Sequence, residues 1–174
     1  MLYTVRHVMR CDPCYTEKRV RRLLPHGRRS LRLTEILELK FPARHKVWIG
    51  CHFLRHDLLR EFVCDCVQAA AKLAGPEAVR CARALRGKSM DRLDAAKNRL
   101  YDLCAAPNVL VNSVKWGTLL AAQFILYNCK SGSSAAKAVL DLSEQSVEMS
   151  NDQLELLRLY AVIEEGGLDV EIHG

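Results

Sequence analysis

Apolar residues along this chain recur at spacings of three and four rather than alternating, which is the pattern of amphipathic helices. The longest clear stripe is Leu58, Leu59, Phe62, Val63, Cys66, Val67 and Ala70, with Asp57 placed to cap the helix that carries it. Gly75 is placed to stop that helix and Pro76 to start the next, which turns Val79, Ala82 and Leu85 inward. Upstream, Val20, Leu23 and Leu24 form a short stripe closed by Pro25-His26-Gly27. Thr34 is a candidate N-cap for a helix with Leu33, Ile36 and Leu37 on its packing side, although Leu31 to Leu33 also fits a brief extended run. Pro42 fits the first position of a helix whose inner face holds Val47, Trp48 and Cys51. Ser89 is placed to cap a helix through Leu93, Ala96, Leu100 and Leu103, broken at Pro107-Asn108. Residues 109–129 are apolar around most of the circumference, which predicts a helix at the centre of a bundle. The segment "KSGSS" at 130–134 reads as a loop, followed by helices over about 135–148 and 152–165, the second capped by Asn151 and ended by Gly166-Gly167.

These elements predict an all-α protein: an irregular bundle of seven to nine helices in a single domain spanning 1–174, with a basic N-terminal segment over 1–32 and a polar tail over 168–174. A chain of 174 residues with 49% hydrophobic residues suits one domain with a core of its own. The longest apolar stretch, 116–129, is interrupted by Gly117, Gln123 and Asn128, so no span of a bilayer is expected. The charged N-terminus "MLYTVRHVMR" does not resemble a signal peptide, and a cytoplasmic location is expected. In that setting, most of the eight cysteines, including Cys64, Cys66, Cys81, Cys104 and Cys129, read as small buried hydrophobes rather than a disulfide framework.

The net charge of +6 conceals an asymmetry. Residues 1–60 hold 14 Lys/Arg against 5 Asp/Glu, whereas residues 131–174 hold 2 against 9. Ends of opposite sign either attract one another within the fold or present two faces to partners. At the N-terminal end, Lys18, Arg19, Arg21, Arg22, Arg28, Arg29 and Arg32 form a candidate surface for a protein partner or for nucleic-acid phosphates. Tyr15 is the one aromatic close to them in sequence, so no platform for stacking bases is visible. The competing reading is a solvated helix face. At the other end, Glu144, Glu148, Asp152, Glu155, Glu164, Glu165, Asp169 and Glu171 form an acidic surface suited to a basic partner or to solvation alone.

Cys11 and Cys14 have the spacing of half a zinc site, because two thiolates three residues apart in a turn can meet one tetrahedral ion. The remaining two ligands would have to come from His26, His45, Cys51-His52, His56 or Cys64-x-Cys66. Ordinary thiols are the competing reading, and no cofactor is required by the sequence. Catalytic motifs are thin: there is no Gly-rich phosphate loop, no H-E-x-x-H and no G-x-S-x-G, and no enzyme activity is expected. The local candidate for a nucleophile is Cys51 beside His52, with His56 one turn further on. A helix-turn-helix over 91–125 is a poor fit, since its second helix is too apolar to lie in a groove.

The segments "PCYTEKRVRRLLP", "LTEILELKFPARHKVWIGCH" and "FLRHDLLREFVCDCVQAAAKLAGPEAV" are similar to a helical, immunity-protein-like family of bacteria and phages. The residues that carry the likeness are Cys14, Tyr15, Leu24, Pro25, Leu33, Ile36, Leu37, Trp48, Phe53, Leu54, Leu59, Arg60, Phe62, Cys66 and Ala70, within roughly residues 13–105. The resemblance implies an all-helical protein that binds and neutralises or inhibits another protein without chemistry of its own. Beyond residue 105 the chain departs from that pattern, with "NVLVNSVKWGTLLAAQFILYNC" in place of the family's Ala/Trp/Arg-rich continuation. The alternative carried by the residues themselves is a nucleic-acid-binding protein that uses the basic segment.

Overall fold

A computed structural model describes residues 1–11, 15–25, 28–87, 89–102, 109–127, 131–144 and 146–166. It opens with a two-residue strand, β1 (Tyr3–Thr4), paired antiparallel with β2 (Ser30–Leu31) in the register Tyr3 to Leu31 and Thr4 to Ser30. Between them lie α1 (Val5–Arg10) and α2 (Glu17–Leu23). Then follow α3 (Leu33–Glu38), α4 (Ala43–Phe53) and α5 (His56–Ala70), with a 3-10 turn over Ala71–Ala74. The chain continues through α6 (Pro76–Leu85), α7 (Met90–Asp102), α8 (Val109–Leu126), α9 (Gly132–Leu142) and α10 (Val147–Glu164). The all-α class is as expected. The ten helices of the described residues exceed the seven to nine expected, because the six-residue α1 was hidden in a stretch read only for its charge.

The predicted stripe of α5 is buried at every position, from Leu58 to Ala70. Gly75 adopts φ 92°, a left-handed conformation costly for any residue with a Cβ, and Pro76 opens α6 immediately after. Ser89 accepts the N–H of Arg92 at 3.3 Å, as a cap does. The apolar α8 occupies the interior and packs against α9, α7, α5 and α6. Gly117 brings α8 onto α9 so closely that a Cβ there would sit 2.7 Å from the Leu142 backbone nitrogen and 2.8 Å from the Ala138 carbonyl oxygen. Helix α10 packs against α4, α5 and α3. One hydrophobic cluster runs from Tyr3 and Val5 to Leu157 and Ala161.

At three helix starts the cap is not the residue expected from the sequence, because another group supplies it. Thr34 lies inside the first turn of α3 instead of preceding it. The N-cap is Arg32, whose backbone N–H is taken by Glu35 at 2.8 Å, while the Thr34 N–H and hydroxyl both donate to Glu165, 131 positions away. Asp57 falls within the first turn of α5, and the Arg55 N–H ahead of it donates to Glu164 at 3.0 Å. Helix α10 begins at Val147 with Ser146 as its cap, so Asn151 is a second-turn residue; Ser143 closes α9 and donates to Gln153 at 2.8 Å. Pro42 stands just outside α4, at the cap.

Candidate functional site

The short helix α2 builds the predicted basic face opposite an apolar side of Val20 and Leu23, both packed on the core. Thr16 caps it by accepting the Arg19 N–H, and Val20 is buried. Lys18, Arg19, Arg21 and Arg22 are left on its exposed sides, and Arg28, Arg29 and Arg32 follow on exposed chain. The seven cations do not behave alike. Arg21 pairs with Glu17 at 2.6 Å, one turn back on α2. Arg28 pairs with Glu35 at 2.6 Å, and Arg32 is near enough to help hold that carboxyl below its ordinary range, behind the larger effect of the Arg32 backbone N–H. Arg19 lies 4.7 Å above the centroid of the Tyr15 ring. Lys18, Arg22 and Arg29 have no carboxylate within ion-pair distance among the described residues. With Glu17, Arg21 and Leu24, Lys18 and Arg22 line a shallow, open concavity.

Tyr15, the one aromatic near this face, is not offered to a ligand. It is buried, tilted against Phe41 with centroids 5.0 Å apart, and its phenol is in hydrogen-bond contact with Nδ1 of His45. Burial, with the nearby Arg44 and Arg19 guanidiniums, lowers the His45 pKa.

The zinc and nucleophile candidates are placed as follows. Cys14 and His26 lie outside the described residues. Cys11 is buried, with its thiol directed at the His7 carbonyl and its pKa raised to about 11 by burial. Its own carbonyl accepts the Trp48 indole N–H at 2.6 Å, which ties the end of α1 to α4. Among the described residues, no three His, Cys, Asp or Glu side chains converge as metal ligands. The nucleophile reading of Cys51 does not fit the geometry. The thiol is buried and its pKa is raised by desolvation, whereas His52 is turned away, with Nδ1 2.8 Å from the Trp48 carbonyl and Nε2 2.9 Å from the Ser133 hydroxyl. Burial likewise pushes Cys64 to about 11 and Cys81 to about 12, and raises Cys66.

The acidic C-terminal surface is partly consumed within the molecule. Glu164 and Glu165 satisfy the N-termini of α5 and α3. Glu155 pairs with Arg158, whose guanidinium also reaches Glu38 at 3.0 Å. Asp169 and Glu171 lie outside the described residues. Glu148 and Asp152 line a groove of about 440 Å³ between α5 and α10, together with Ala69, Ala70, Met149 and Leu156.

Sequence reasoning passed over a second basic surface, on the hairpin of α6 and α7. Arg80, Arg83, Arg92 and Arg99 line a trough of about 490 Å³ there. The signal was available as arginines three and seven residues apart on consecutive helices, but the apolar stripe of the same segments drew the reading inward. No described helix is long and apolar enough to cross a membrane. No family model matches the chain, and no curated protein or solved structure matches it either.

Proposed function

We propose that this protein acts without chemistry of its own, by binding a protein partner and neutralising or inhibiting it, with the basic face of α2 as the contact surface. The observation that carries this reading is the state of the basic face: Lys18 and Arg22 are exposed with no carboxylate partner among the described residues, while the adjacent aromatic is sealed beneath Arg19. Exposed cations with no stacking surface suit an acidic protein patch better than single-stranded nucleic acid, whose non-specific binding combines phosphate contacts with base stacking. The described cysteine thiols are poor candidates for a nucleophile, because the thiolate is the reactive form and burial disfavours it. The likeness of residues 13–105 to immunity-type proteins points the same way, toward occlusion of a partner's working surface.

The test is affinity capture on the full chain, with and without nuclease, beside a Lys18→Glu/Arg22→Glu variant. The expected result is a stoichiometric protein complex that survives nuclease, loses activity of the captured partner, and is weakened at least tenfold in the variant. The variant should melt with the parent, since exposed charges contribute only about 0–1 kcal/mol each. Arg21 is left alone because it is already paired with Glu17. Capture that vanishes with nuclease, or affinity that falls with salt at a slope of about −0.9 per phosphate contacted, would replace this reading with nucleic-acid binding.

A further inference from the structure

We infer that the α6–α7 hairpin carries a separate binding site for a linear anion bearing several phosphate groups. The helices are consecutive and antiparallel, joined by a short turn, and pack directly on one another. Their outer faces enclose the trough lined by Arg80, Arg83, Arg92 and Arg99, with Ala84, Ala95, Ala96 and Gly87 among its other walls. Small side chains there let a ligand settle between guanidinium groups on either side. Arg83 and Arg92 lie equally far from the turn, and both line the trough. Arg80 and Arg99 lie further along each helix. At about 1.5 Å per residue, Arg92 and Arg99 are separated by roughly 10 Å along α7. The charges therefore form a double row and not a single point, which matches an extended anion.

The charge is available. Arg83, Arg92 and Arg99 are exposed and have no carboxylate within ion-pair distance among the described residues. Arg80 pairs with Glu77 at 3.0 Å, and that glutamate is the acidic group of the lining. Neighbouring cations do not contribute in the same way: Arg86 is committed to Asp65, and Lys97 to Asp94 at 2.6 Å. Four surface guanidiniums held close together repel one another, and an anion that bridges them relieves that repulsion. Guanidinium forks pair with phosphate through two parallel hydrogen bonds, which favours phosphate over a point-charge interaction. No aromatic side chain is among the described residues of the trough, so the arginines recognise phosphates and nothing there stacks a base. This site shares no residue with the basic face of α2.

The experiment is calorimetric titration of the full chain with inorganic tripolyphosphate, and in parallel with a short DNA duplex, using the parent and an Arg83→Ala/Arg92→Ala variant. The expected result is saturable tripolyphosphate binding weakened at least tenfold in the variant, whose helical circular dichroism matches the parent. Duplex binding lost in the same variant would make a nucleic-acid backbone the source of the phosphates; tripolyphosphate binding alone would make it a free polyphosphate. Unchanged affinity in the variant would overturn the site. Equal binding of poly-glutamate would overturn the phosphate assignment. A variant that loses helicity is replaced by Arg83→Lys/Arg92→Lys, which keeps the charge and removes the fork; unchanged affinity there would also overturn the assignment of phosphate-matched guanidiniums.

Discussion

Individual side chains in this protein take their chemistry from burial more than from neighbouring charges. Cys51, Cys64, Cys66 and Cys81 all lie on core-facing positions of α4, α5 and α6, and desolvation is the largest cause of each raised pKa. Alkylation at pH 8 with mass-spectrometric readout should therefore leave these four unlabelled in the folded chain and label them in denaturant. Rapid labelling of Cys51 in the native protein would contradict its placement. His45 gives a prediction with a definite sign. Its ordinary pKa is near 6.5, and the folded value is lower because burial and the Arg44 and Arg19 charges disfavour imidazolium. Above about pH 6.5 both folded and unfolded states are neutral at this site, and its contribution to stability is complete. As the pH falls through that value the unfolded chain binds the proton first, and the contribution is lost until the folded pKa is reached. Protonation also fixes Nδ1 as a donor in its contact with the Tyr15 hydroxyl. Denaturant midpoints measured between pH 7 and 5 should fall less in His45→Gln than in the parent, and an identical fall would remove the assignment.

At the scale of helices, stability rests on close approach and on remote capping. Replacing Gly117 with Ala puts a methyl group against backbone atoms of α9 that cannot move independently. Overpacking of this kind costs about 1–3 kcal/mol, which for a chain of this size is a fall in Tm of roughly 2–4 °C per kcal/mol. A thermal melt by circular dichroism reads it, and no change would mean that α8 and α9 pack less closely than described. Glu165→Ala removes the acceptor for the Thr34 N–H and hydroxyl at the start of α3 and should cost about 0.5–2 kcal/mol, the usual range for a lost cap. These helices also show what the sequence can and cannot say. The α5 stripe and the Gly75-Pro76 junction were legible because period and turn chemistry are local properties. The caps of α3 and α5 were not, because Glu165 and Glu164 reach them from more than a hundred positions away. Local preference therefore pointed to Thr34 and Asp57, whereas tertiary contacts decided. The basic face of α2 was legible as composition, but the burial of Tyr15 under Arg19 required the fold; the arginines of α6 and α7 were there to be read, and the fold brings them into one trough.

For the whole molecule, the charge asymmetry is resolved inward at one end and left open at the other. The Glu165 and Glu164 carboxylates at the end of α10 accept backbone N–H groups at the starts of α3 and α5, and Tyr160 of the same helix donates to Asp65 at 2.7 Å, so α10 acts as a strap across the N-terminal half. Because the hydrophobic cluster is continuous from Tyr3 to Ala161, the two halves share one core and should unfold together. The two tryptophans test this, since Trp48 lies in α4 and Trp116 in α8. In Trp116→Phe, fluorescence reports only on the N-terminal half, and its denaturant transition should coincide with that of helical circular dichroism. Phe62, fully buried in α5 with its ring 5.7 Å from that of Tyr160, is where the strap meets this core. Phe62→Ala should cost about 3–5 kcal/mol and move both transitions by the same amount. If the fluorescence transition separates from the helical one in either variant, the N-terminal helices form a unit of their own and α10 is not what joins them.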